Sequence, residues 1–108
     1  ERFVQEVVAS WRASGGEPDI ARQIPGMLRH AGFRMVSARP LGFAPLPHEP
    51  GWNWPAGFVR TNVPRLLELG RVDPAWAQQV LRELDAAEAD PGTVFITPQV
   101  LEITAETT

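Results

Sequence analysis

Three large aromatic side chains crowd the segment Trp52-Asn53-Trp54-Pro55-Ala56-Gly57-Phe58, directly behind a loop that holds Pro45, Pro47 and Pro50. Rings carried by so stiff a segment could line a pocket for an apolar or aromatic small molecule. Rings of this size also anchor loops to a core, and that reading competes with the first. Trp11, followed by Arg12 and close to Gly15-Gly16, could reach the same pocket; otherwise Trp11 packs in the core and Arg12 stays solvated. His48 beside Glu49 is the only loop histidine, with the chemistry of a general base toward a hydroxyl or amine, although a surface histidine accounts for it as well.

The remaining reactive types point away from several chemistries. The two histidines lie in separate elements with no His-x-x-x-His spacing, and there is no cysteine, so neither a metal site nor a disulfide is expected. Ser10, Ser14 and Ser37 lack the surroundings of an activated serine. Every basic residue is arginine, which excludes lysine nucleophiles and matches a GC-rich bacterial coding sequence. Glu83, Asp85, Glu88 and Asp90 read as a solvated helix face. A net charge of −3 gives no footprint for nucleic acid, and no apolar run approaches the roughly 20 residues of a membrane span. Nothing resembles a signal peptide, so the expected location is cytoplasmic.

The elements that must position these residues follow from periodicity and punctuation. Phe3, Val7, Val8 and Trp11 make one stripe of a helix over Arg2 to Ala13, stopped by Ser14-Gly15-Gly16. Pro18 suits the first turn of a second helix, which Pro25 must kink or split and which ends at His30 or Ala31 before Gly32. Arg34 to Leu41 reads as a strand and Gly42 to Pro55 as a loop. Asn53 is placed to cap a helix entered through Trp54 and Pro55, and Pro64 should divide Asn53 to Leu69 into two pieces. Asp73-Pro74 starts a helix along Trp76, Val80, Leu84 and Ala87. Thr93 to Ala105, rich in β-branched residues, reads as the last strand, with Pro98 as a bulge or bend.

The runs Ser14-Gly15-Gly16-Glu17-Pro18-Asp19-Ile20-Ala21 and Leu28-Arg29-His30-Ala31-Gly32-Phe33 resemble the segment of class I S-adenosylmethionine-dependent methyltransferases that leads into their sixth strand. Leu66 to Val72, the helix from Trp76 to Leu84, and Gly92-Thr93-Val94-Phe95-Ile96 resemble that family's closing insertion and seventh strand. The resemblance implies that the last strand runs antiparallel to Arg34–Leu41 and lies between it and a further strand, absent here. It also implies that S-adenosylmethionine is the cofactor of the full enzyme. The family holds it with a glycine-rich turn after its first strand and an acidic residue ending the second; Gly15-Gly16 follows a helix instead, so no cofactor is expected on this chain alone.

The expectation is thus an α/β fold: the C-terminal fragment of a Rossmann-like methyltransferase, one domain over residues 1–108, with helices packed on a two-stranded antiparallel pair. A start at Glu1 rather than methionine fits an absent N-terminal half. The segment would supply part of the pocket for a small-molecule methyl acceptor, with Trp11, Trp52, Trp54 and Phe58 as candidate contacts. It should be inactive alone, because methyl transfer rests on bringing cofactor and acceptor together. Two rivals remain: a self-contained α+β binding or dimerisation module, and a subunit completing a split methyltransferase in trans. An unpaired last strand exposing Val94, Ile96 and Val100 would also recruit another chain, as a strand-paired homodimer.

Overall fold

The computed structural model describes residues 1–108, in two parts joined by an extended ribbon. Helix α1 (Arg2–Ala13) leads through a turn and a short 3₁₀ segment, Ile20–Arg22, to helix α2 (Ile24–His30) and strand β1 (Phe33–Leu41). A loop and a second 3₁₀ turn, Pro50–Trp52, precede helices α3 (Asn53–Glu68) and α4 (Pro74–Ala89), and strand β2 (Val100–Thr107) returns beside β1. The result is a small α+β protein with four helices and one two-stranded antiparallel sheet.

Helices α1, α3 and α4 pack on one another around Val7, Trp52, Ala56, Val59, Val63, Leu66, Val72, Ala77 and Leu84. Of the expected packing of helices on the strand pair, the structure shows α2 against β1, while the buried core lies among the other three helices. The molecule is correspondingly open. Its radius of gyration is 17.2 Å, against about 13 Å for a compact chain of this length. Its accessible surface is 7473 Å², against about 5,900 Å² for a compact monomer of its mass.

Local chemistry accounts for most boundaries. Pro25 falls in the first turn of α2, where its missing N–H costs nothing, so the second helix starts at Ile24 and Pro18 starts none. Gly32, at φ +88°, makes the turn from α2 into β1, a conformation in which a Cβ would be strained. The Asp73 carboxylate accepts from the Trp76 N–H at 2.8 Å and caps α4. Two further boundaries differ from expectation. Helix α3 runs unbroken through Pro64 and takes no side-chain cap from Asn53, because its Val59, Val63 and Leu66 are held in the core on one continuous face. The last strand begins at Val100 rather than Thr93; in the stretch ahead of it, the N–H groups of Phe95 and Thr97 bond the carbonyls of Pro45 and Phe43 and extend the ribbon toward the helices.

The sheet register runs from Phe33 opposite Thr107 to Leu41 opposite Val100, with a bulge between Met35 and Ser37 and none at Pro98. The bulge matters for the faces of the sheet. Beyond it Ala38 lies opposite Ile103 and Pro40 opposite Leu101, so these residues share a face with Met35 and Ala105. The other face carries two cross-strand ion pairs, Arg34 with Glu106 and Arg39 with Glu102 at 2.6 Å.

Candidate functional site

The aromatic residues singled out by sequence do not form one wall. Trp52 is 1% exposed and belongs to the core, its ring edge-to-face with Phe95 at 5.2 Å. This burial favours the competing reading of Trp52, as a ring that anchors the loop to the core. Trp54 is 49% exposed and meets Phe43 at 6.3 Å with the rings nearly perpendicular. Phe58 packs edge-on against both Phe3 and Trp11, at 5.8 and 5.9 Å. The reason is helical geometry: residues two apart on a helix point roughly 200° apart, whereas residues four apart share a side. Trp54 and Phe58 therefore lie along one side of α3, while Trp52 is turned into the core.

That side of α3 carries a line of rings from Phe43 through Trp54 and Phe58 to Trp11. Phe43 was not singled out in the sequence, and no periodicity marks it. Its backbone is held from below by Thr97, the one polar residue in the core, which accepts from the Phe43 N–H at 2.9 Å through its hydroxyl oxygen. The Thr97 hydroxyl and N–H both donate to the Phe43 carbonyl, at 3.1 and 3.0 Å. Phe43 nonetheless exposes 58% of its surface, so a fully satisfied buried residue serves to present an exposed ring beside Trp54. Rigid exposed rings of this kind are what a planar apolar ligand can pack on.

Beyond Trp11 a shallow cleft is lined by Ser10, Ser14, Arg65, Leu69 and Arg71. It lies where α1 and α3 both end, and guanidinium groups there oppose the negative ends of the two helix dipoles. Arg71 also reaches Glu6 at 3.6 Å, and Arg65 reaches Glu68 at 3.2 Å. Arg12 turns away and forks onto Glu17, whose carboxyl is held below its ordinary pKa by that bond and by the Asp19 N–H. His48 lies exposed on the loop; Glu49 beside it accepts from the Leu46 N–H at 3.2 Å and so closes the turn. No group of three or more histidine or carboxylate side chains is close enough to share a metal ion.

The acidic face of α4 has a definite partner. Arg60 of α3 bonds Glu88 and, at 3.3 Å, Asp85. The bond from Arg60 holds the Glu88 carboxyl below its ordinary pKa against some loss of hydration; the buried Trp52 N–H has no hydrogen-bond partner. A carboxylate whose folded pKa is depressed stabilises the fold above its unfolded pKa, and the contribution is lost as pH falls through the folded value. Thermal stability is therefore expected to drop below about pH 4.5, and Glu88→Gln should flatten part of that drop in melts recorded between neutral and acid pH. An unchanged acid profile in the variant would show that the pair does not couple folding to pH.

Compared with known proteins, the chain matches no family model, no curated protein and no solved structure. No helix in it is long and apolar enough to cross a membrane.

Proposed function

We propose that this chain is the acceptor-side C-terminal portion of a class I S-adenosylmethionine-dependent methyltransferase acting on a small molecule. The observation that carries the reading is an asymmetry between the two outer edges of the sheet. The edge formed by β1 is protected: it holds a bulge and a proline without an N–H at Pro40. The edge formed by β2 has no proline, no bulge and no basic residue, and it runs through Val100, Ile103 and Thr104, which favour strands. In the resembled family the strand corresponding to β1 ends the sheet, and the one corresponding to β2 takes a neighbour on each side.

Other features agree with the reading. Helix α2 passes through Ala31-Gly32-Phe33 directly into β1, and the two strands are separated by a helical insertion. That insertion carries the half-exposed ring of Trp54 and the partly buried ring of Phe58, with Phe43 and Trp11 beside them, as contacts for an apolar or aromatic acceptor. S-adenosylmethionine would be held by a part of the enzyme outside these residues.

The test is calorimetric titration with S-adenosylhomocysteine of the 108-residue chain and of the full product of its reading frame. The expected result is no saturable heat from the chain and micromolar binding by the full product. Saturable binding by the chain alone would overturn the assignment. So would an initiator codon immediately ahead of Glu1 with no neighbouring frame encoding a glycine-rich first-strand turn, which would favour the self-contained binding or dimerisation module.

A further inference from the structure

The expectation that Val94 and Ile96 form the unpaired strand edge is corrected by the structure, which places both ahead of β2. The open edge is Val100–Thr107, and its side chains carry a pattern that the register makes readable. Leu101, Ile103 and Ala105 lie on the apolar face of the sheet, and Glu102, Thr104 and Glu106 on the other.

We propose that the outer edge of β2 pairs antiparallel with β2 of a second copy of this chain, about a two-fold axis at Ile103. This goes beyond the methyltransferase reading and does not depend on it. In a longer enzyme, a strand from another part of the protein would compete for the same edge.

Charge and face matching select this register. Centred on Ile103, the pairing sets Ile103 opposite itself, Leu101 opposite Ala105, Glu102 opposite Thr104 and Val100 opposite Glu106. Every residue of the apolar face then meets another apolar residue, and no two carboxylates meet. Centring on Glu102 would place two glutamates face to face. Centring on Thr104 would set Glu102 against Glu106, twice by symmetry, and like charges directly opposite are destabilising. A slip by half a pair would continue the apolar face of one copy with the charged face of the other.

The two glutamates bring no uncompensated charge to the join, because each already pairs with an arginine of β1 in its own chain. The product is a four-stranded sheet in the order β1-β2-β2-β1. Its two outer edges are the protected ones, so association stops at the dimer.

The chain contains no cysteine, which makes the register directly testable. Residues directly opposite across antiparallel strands have Cα atoms about 4.5–5.5 Å apart, a separation that a disulfide spans. Light scattering of the unsubstituted chain should give twice its 11.9 kDa mass at high concentration. Mild oxidation of Ile103→Cys should then trap a covalent dimer, whereas Ala38→Cys, on the same face but on β1, should stay monomeric on a non-reducing gel. A monodisperse monomer at millimolar concentration would overturn the proposal, since that measurement needs no substitution. Equal cross-linking through Ala38→Cys would overturn it too, by placing the contact on β1. Either failure leaves the cofactor titration unaffected, so a failure of this proposal is distinguishable from a failure of the methyltransferase reading.

Discussion

Replacing Trp52 with alanine is expected to cost roughly 3–5 kcal/mol, the usual range for emptying a buried aromatic site. Trp52 is among the largest fully buried side chains, in a core of only nine buried hydrophobic residues. It touches the ring of Phe95 in the ribbon and shares the core with Val59, Val63 and Leu66 of α3 and with Ala77 and Leu84 of α4. One side chain thus ties α3, α4 and the ribbon together. A domain of this size has about 5–15 kcal/mol of total stability, so the loss removes a large part of it. The comparison that makes the result specific is Trp54→Ala. Its ring is half exposed and its pairing with Phe43 is worth about 0.5–1.5 kcal/mol, so the variant should remain folded. Urea denaturation followed by far-ultraviolet circular dichroism would separate the two. Equal losses would contradict the division into a core ring and a surface ring.

Pro64→Ala is expected to act in the opposite direction and to stabilise the chain by roughly 1–3 kcal/mol. Pro64 sits exposed inside α3, where it gives no N–H to the Arg60 carbonyl and crowds it with its ring. The helix persists because Ala56, Val59, Val63 and Leu66 are buried on one side and outweigh the break. Alanine would restore the missing bond while leaving that side untouched. A rise of several degrees in the thermal midpoint would confirm the account. A fall would mean that proline itself is needed at this position to fit α3 between α1 and α4.

Several elements were legible in the sequence because short-range chemistry decides them. The stripe of α1, the Asp73-Pro74 start of α4 and the end of α2 before Gly32 follow from residues within a turn of one another, whereas the antiparallel pairing of the two strands was expected only from the methyltransferase resemblance. The aromatic site was legible only in part. Trp54 and Phe58 do share a side, and Trp11 does reach Phe58, but Trp52 left the group for the core. Its helical spacing from Trp54 held that information, since two positions cannot face the same way. Phe43 had no comparable signal: only the long-range bonds from Thr97 reveal that its exposure is built in.

By itself, the sequence determined a chain without thiol or lysine chemistry, helical segments with their main stops, and two strand segments. Those properties rest on residue types and on neighbours within a few positions, where sterics and capping act. Tertiary structure alone decided that Pro64 would not divide α3, because burial of a whole helical side outweighs one lost hydrogen bond. It also decided which tryptophan is core, where β2 begins, and that a bulge at Met35 keeps the apolar residues of β1 on one face. Each of these depends on which distant surface comes to lie opposite a given residue, and local spacing carries no record of that.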